Sequence, residues 1–161
     1  IKTDVTLYAL KLAKKGNAIT ILNPAPAIKI EDEFFKYIDF FTPNETEAEF
    51  YFGKKIENYN QAKEAGDFFI KKGVKNSIIT LGDKGIYFTN QSSNFSLPAL
   101  DLKNKVKDTT GAGDAFSGAL ASGLEKKMNI KECLKFAIKV SGISTTKKGA
   151  ADAMPNIKDL S

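Results

Sequence analysis

The sequence predicts an α/β fold on a mainly parallel sheet, and three observations carry that prediction. Short apolar runs, AITIL at 18–22, IDFFT at 38–42 and NSIITLG at 76–82, alternate with segments of helical periodicity. Two of those helical segments end in a lysine pair followed by glycine, at Lys14-Lys15-Gly16 and Lys71-Lys72-Gly73, the usual chemistry of a helix carboxyl end. The 161 residues are 42% hydrophobic and 27% charged, so residues 1–161 read as one domain able to bury its own core.

Each element has a local reason. Thr3 or Asp4 is expected to cap a first helix carrying Val5, Leu7, Leu10, Leu12 and Ala13. AITIL is then a buried strand stopped by NPAP at 23–26, EDEFFKYI at 31–38 a short helix, and IDFFT a second strand ending before Pro43. PNETEAEFYFG starts a helix with Asn44 at its cap and acidic residues in its first turn. Residues 60–72 form another helix, NSIITLG a strand, and GDKG at 82–85 turns the chain into IYFTN at 86–90, a strand pair. FSLPAL and the approach to Val106 are expected to add strand. A glycine turn at 111–113 leads into helices over about 114–126 and 130–146, the second with Ile130, Leu134, Ala137, Ile138 and Ser141 on one face.

Composition excludes several chemistries. The chain has no histidine and one cysteine, Cys133, so histidine-based nucleophile systems, ordinary zinc patterns and an internal disulfide are absent. Acids and bases are left to Asp, Glu, Lys and Tyr. The formal charge of +5 comes entirely from lysine, scattered in pairs rather than in one block, which reads as solvated helix ends and turns and not as a nucleic-acid surface. No apolar run approaches the ~20 residues of a membrane span, and the amino terminus lacks a signal-peptide pattern. Cys133 and the phenylalanines of FFKYIDFF are expected in the core. Ile1 is not an initiator residue, and the first segment reads as the flank of a helix in something longer.

Three segments can do chemistry. In KDTTGAGDAFSGALASGL at 107–124, Gly111 and Gly113 let the backbone turn tightly and present amides at a helix mouth, a geometry that suits a phosphate. Asp114 in that first turn is either a helix-stabilising carboxylate or a base that accepts a proton from a hydroxyl attacking a phosphoryl group. In TPNETEAE at 42–49, Asn44 and Glu47 either cap the helix or organise a hydrated magnesium ion and phosphate oxygens. TLGDKGIYF from Thr80 is either a plain hairpin or a backbone that approaches a nucleotide closely. Phe116 stands where the dinucleotide fingerprint needs its third glycine, which argues against an NAD-binding domain, and no GxxxxGK[ST] loop is present.

Taken in order, NPAP, TPNETEAE, ITLGDKG at 79–85 and DTTGAGDAFSGAL at 108–120 resemble the carboxy-terminal half of the ribokinase-like (PfkB) carbohydrate kinases, over nearly the whole chain. The resemblance implies a three-layer α/β/α, Rossmann-like fold, here without the amino-terminal sugar-binding half and lid. It implies transfer of the γ-phosphoryl group of ATP to the primary hydroxyl of a sugar, and TPNETEAE leans toward D-ribose. Asp114 would be the catalytic base, and Gly111, Ala112 and Gly113 the anion hole. Asn44 would contact ATP phosphates and Glu47 would place Mg2+. Thr80, Leu81, Gly82, Asp83, Lys84 and Gly85 would line the nucleotide site, with Ile138 near adenine where relatives offer a polar side chain. Asp108 and Thr110, with carbonyls near Ser144, Lys147 and Gly149, would form a K+ loop. The implied whole protein is a cytoplasmic homodimer acting on a sugar and ATP, with no nucleic acid or membrane partner. Another sugar such as fructose, a nucleoside, or a catalytically silent nucleotide-binding fragment remain the alternatives.

Overall fold

The computed structural model describes residues 2–160. They divide into two compact units: the first runs through Gly82 and takes in Ile86–Ser96, and the second comprises Asp83–Gly85 and the chain from Leu97 onward.

The first unit opens with α1 (Thr3–Lys15), which Lys2 precedes in extended conformation without a side-chain cap, so neither Thr3 nor Asp4 is the capping residue. Thr3 already has helical geometry. Strands β1 (Ile21–Leu22) and β2 (Phe40–Phe41) are shorter than the apolar runs that announce them. A 3-10 turn, Asp32–Tyr37, stands where EDEFFKYI predicts a short helix, and it buries Phe34 and Phe35. Helices α2 (Glu45–Phe52) and α3 (Tyr59–Lys72) both end at glycines in left-handed conformation, Gly53 and Gly73. Strands β3 (Asn76–Thr80), β4 (Ile86–Asn90) and β5 (Asn94–Leu97) complete a five-stranded sheet of order β1-β2-β3-β4-β5. β1, β2 and β3 run parallel, and β3 pairs antiparallel with β4. The predicted strand pair is there because the GDK 3-10 turn reverses the chain within three residues. Asn90 closes the next turn, its side-chain oxygen accepting from the amides of Ser92 and Ser93.

Aromatic packing fills this unit. The Phe41 ring lies 4.9 Å from Phe69, 5.7 Å from Phe35 and 5.8 Å from Tyr51, all edge-on, the arrangement ring quadrupoles favour. The FFKYIDFF residues Phe34, Phe35, Ile38, Phe40 and Phe41 are core, as expected.

At the amino ends of the parallel strands, Asp39 is the one buried carboxylate of IDFFT, 7% exposed. Its Oδ2 accepts from the Thr20 amide at 2.9 Å and pairs with Lys14, while Oδ1 pairs with Lys75 at 2.9 Å. Its carbonyl accepts from the Asn76 side chain, so one residue links β1, β2 and β3. Burial pushes the carboxyl up, but Lys14, the Thr20 amide and Lys75 outweigh it and bring it down to about 2.

The second unit is carried by α4 (Ala112–Glu125) and α5 (Ile130–Ser144), which pack on each other; α4 buries Phe116, Ala119 and Leu120, and α5 buries Cys133, Leu134 and Ala137. Cys133 is fully buried, as a small hydrophobe. α4 begins two residues earlier than the glycine turn suggests, because Gly111 alone takes the left-handed conformation and Gly113 is already helical. The approach to Val106 is not a strand: Lys103 and Asn104 both have positive φ there.

Candidate active site

The predicted chemistry falls into one cluster in each unit. In the first unit, Pro43 leads from β2 into α2, and Asn44 forms a reciprocal capping box with Glu47. The Glu47 amide donates to Asn44 Oδ1 and the Asn44 amide donates to Glu47 Oε2, each at 2.9 Å. Asn44 is exposed and Glu47 is 9% exposed. The box occupies one oxygen of each side chain; the second carboxylate oxygen of Glu47 lies outside it. Asn44 also bridges in parallel to Thr80, and the Thr80 amide donates to the Pro43 carbonyl at 3.0 Å, so the TPNETE and TLG segments lie side by side. Leu81 turns its side chain into the core, leaving only its backbone to face a ligand. Gly82 is exposed with φ +53°, and a Cβ there would have Glu45 Oε1 at 3.9 Å.

Asp83, Lys84 and Gly85 belong to the second unit. Gly85 is buried, and its need for glycine has an internal cause: a Cβ would meet the Leu97 carbonyl, with the Ala99 amide at 2.6 Å. That contact is one of chain to chain within the second unit.

The main cluster of the second unit is the mouth of α4. Gly111, φ +79°, lies against Ala150 and Met154, whose nearest atoms would be 3.2 Å from an added Cβ. The Ala112 amide donates to the Thr109 carbonyl at 3.1 Å and the Ala115 amide to Gly111 at 2.9 Å. Among the described residues, the amides of Gly111, Gly113 and Asp114 have no backbone acceptor at this mouth. Asp114 is exposed in the first turn of α4.

The segment before the mouth is stitched to the one after α5. Asp108 Oδ1 accepts from the Thr110 amide and Oδ2 from the Gly149 amide, both at 2.9 Å. The Gly149 amide and Thr110, with Lys148 nearby, draw the Asp108 carboxyl down to about 2. The Thr145 carbonyl accepts from the amides of both Lys107 and Asp108, and the Lys147 amide donates to the Ser144 carbonyl at 3.3 Å. Asp108 and Thr110 thus lie in a loop hydrogen-bonded to the segment of Lys147 and Gly149 that follows Ser144, the last residue of α5. Ser144 is buried, with its hydroxyl donating to the Ser141 carbonyl. Ser141, which sequence reading placed only on the packed face of α5, donates its hydroxyl to the Ala112 carbonyl at 2.8 Å and so fixes the first turn of α4. A polar side chain on an apolar helix face was its single signal. Ile138 is half-buried on α5 and has no side-chain hydrogen-bonding group.

These groups suit phosphate and metal ligation to different degrees. Open amides and glycine backbone at a helix mouth suit a phosphate oxygen. No group of three or more Asp, Glu or Cys side chains able to hold a metal occurs among the described residues, so magnesium would rest on one carboxylate, Glu47, plus waters and phosphate oxygens, which its coordination habits allow. Asp108 has both carboxylate oxygens occupied by backbone amides, those of Thr110 and Gly149.

Comparison with known proteins decides the family. Residues 1–157 match the model of the pfkB family carbohydrate kinases. The chain belongs to this family. Within the pfkB family it is 36% identical over 155 residues to a ribokinase of Staphylococcus aureus, covering 96% of this chain and 50% of that one. It is 32% identical over 161 residues to a deoxyribokinase of Salmonella typhi, covering 99% and 52%. Among solved structures, Arabidopsis thaliana ribokinase complexed with ribose and ATP superposes with a TM-score of 0.90 at 30% identity, covering 99% of this chain and 52% of that one. Thermotoga maritima ribokinase superposes at 0.83 with 37% identity, covering 94% and 50%. The fold class read from the sequence is thereby borne out. The chain spans about half the length of the curated relatives it matches.

Proposed function

We propose that residues 1–161 are the ATP-binding and catalytic half of a kinase that transfers the γ-phosphoryl group of ATP to the primary hydroxyl of D-ribose. One observation carries the reading: a carboxylate, Asp114, shares the first turn of α4 with the open amides of Gly113 and Asp114. In such a site the carboxylate takes the proton of the sugar hydroxyl as its oxygen bonds to the γ-phosphorus, the bond to ADP breaks, and the amides receive the charge that spreads over the transferred oxygens. Asn44 is assigned to ATP phosphates, Thr80 to Gly85 to the nucleotide, and Ile138 to an apolar contact near the base. Mg2+ bound through Glu47 and its waters would offset phosphate charge, and K+ beside Asp108 would add positive potential near the mouth. The same reading makes the whole protein a cytoplasmic homodimer.

A second acceptor has specific support. The likeness to a deoxyribokinase is nearly as close as that to ribokinases, so 2-deoxyribose is the rival substrate. The decisive experiment is a coupled ADP-release assay of the full-length protein with ATP, Mg2+ and either sugar, run beside Asp114→Asn. Turnover with ribose that falls by about 10²-fold or more in the variant, with ATP binding retained, is the expected result. Wild-type turnover in the variant removes Asp114 from its role, and a preference for deoxyribose replaces the acceptor.

A further inference from the structure

The mouth of α4 is built without the usual local restraints. Its cap, Gly111, gives the first turn no side-chain hydrogen bond, whereas a Ser, Thr, Asn or Asp there would occupy one of the open amides. The turn itself reads Ala112-Gly113-Asp114, and glycine is the loosest backbone a helix interior can hold. Donors left free for a ligand in such a turn have to be held from outside the helix.

Ser141 on α5 supplies that hold, its hydroxyl donating to the Ala112 carbonyl at 2.8 Å. The other hydroxyls at this end of α5, those of Ser144, Thr145 and Thr146, each donate to a carbonyl three residues back in their own segment. Ser141 alone of these four reaches a different helix. Its own backbone is well anchored. The Ser144 hydroxyl donates to the Ser141 carbonyl at 2.7 Å, and at Gly142 an added Cβ would lie 3.0 Å from Leu100 Cβ.

The carbonyl that Ser141 grips belongs to the same peptide group as the Gly113 N–H. A trans peptide is planar, with C=O and N–H pointing in opposite directions, so a hold on one fixes the aim of the other. The Gly113 amide has no backbone acceptor at the mouth. A hydrogen bond to the carbonyl oxygen also draws electron density through the amide and makes its N–H a stronger donor, as in any chain of hydrogen bonds. We infer that Ser141 is a positioning residue for phosphoryl transfer: through the Ala112–Gly113 peptide it aims and strengthens the N–H that receives charge from the transferred oxygens. The inference rests on the assignment of the α4 mouth to the transferred phosphoryl group, and adds to it a residue acting from the neighbouring helix.

The test compares the full-length wild type with Ser141→Ala and Ser141→Thr, using ATP, Mg2+ and ribose. kcat is taken per ATP-binding site counted by calorimetry, so that unfolded protein does not enter. Because the contact acts on charge that develops during transfer, Ser141→Ala is expected to lower kcat about tenfold, less than the ~10²-fold or more of deleting a donor outright, with KM for ATP within about twofold. Ser141→Thr, which returns a hydroxyl, is expected to recover most of the rate. A merely structural serine would shift the urea midpoint without this split between kcat and KM. Wild-type kcat in Ser141→Ala overturns the inference, as does a loss carried by KM alone or one that an ATP-binding threonine variant does not recover. If the threonine variant binds no ATP, the split in the alanine variant decides alone. Asp114→Asn, run in parallel, separates the two claims. Full turnover there removes the α4 mouth from phosphoryl transfer and this inference with it, whereas a loss there beside wild-type kcat in Ser141→Ala strikes this inference only.

Discussion

Asp39 ties three strands with one side chain, and its titration makes that role measurable. Its folded-state value of about 2 lies below the ~3.9 of an unfolded Asp, so the ionised group favours the folded state above that ordinary value. The contribution, on the order of 2 kcal/mol, fades as pH falls from the ordinary range through about 2. Asp39→Asn is therefore expected to lower denaturant stability near neutral pH by that amount and to flatten the loss of stability between about pH 4 and 2. A urea melt at pH 7 and at pH 3 checks both, and equal losses at the two pH values would refute the assignment. The role was not visible in IDFFT alone, where an aspartate in an apolar run names no partner. Lys14, Thr20 and Lys75 come to it from separate elements.

Helix ends were the most legible features of the chain, because their signals are local. Asn44 and Glu47, three apart, form the box that their spacing allows, and Gly53 and Gly73 take the left-handed turns that glycine permits. Asn44→Ala should destabilise the protein by about 1 kcal/mol through the lost cap, read as a shift in the urea midpoint with unchanged slope. Asn44→Ser, which restores a capping oxygen, should recover most of that. If ATP affinity stays lost in the serine variant while stability returns, Asn44 touches nucleotide as well as capping α2. Strand lengths and the buried face of α1 were less legible. β1 and β2 shrink to two residues because pairing, not hydrophobicity, defines a strand, and α1 has two apolar faces between which periodicity cannot choose. In the same way, the loops around Asp108 and Gly149 are joined through backbone amides, which leave no trace in side-chain pattern.

At the scale of the molecule, the sequence motifs supplied a base, an open helix mouth and a metal carboxylate, and no residue of the chain was matched to sugar recognition. Residues 1–161 on their own are thus expected to bind ATP with Mg2+ in calorimetry and to release no ADP when ribose is added. Ribose-dependent turnover by this chain alone would place the acceptor site within it. The two compact units are also interleaved along the sequence, since the chain passes from one to the other after Gly82, after Gly85 and after Ser96. That threading limits dissection with a protease or a gene truncation. A cut after Ser96 releases a piece that lacks Asp83–Gly85, and with it the glycine over which the backbone of Leu97–Ala99 is laid. The shortest stretch retaining the α4 mouth with its unit intact therefore starts at Asp83 and drags β4 and β5 along with it.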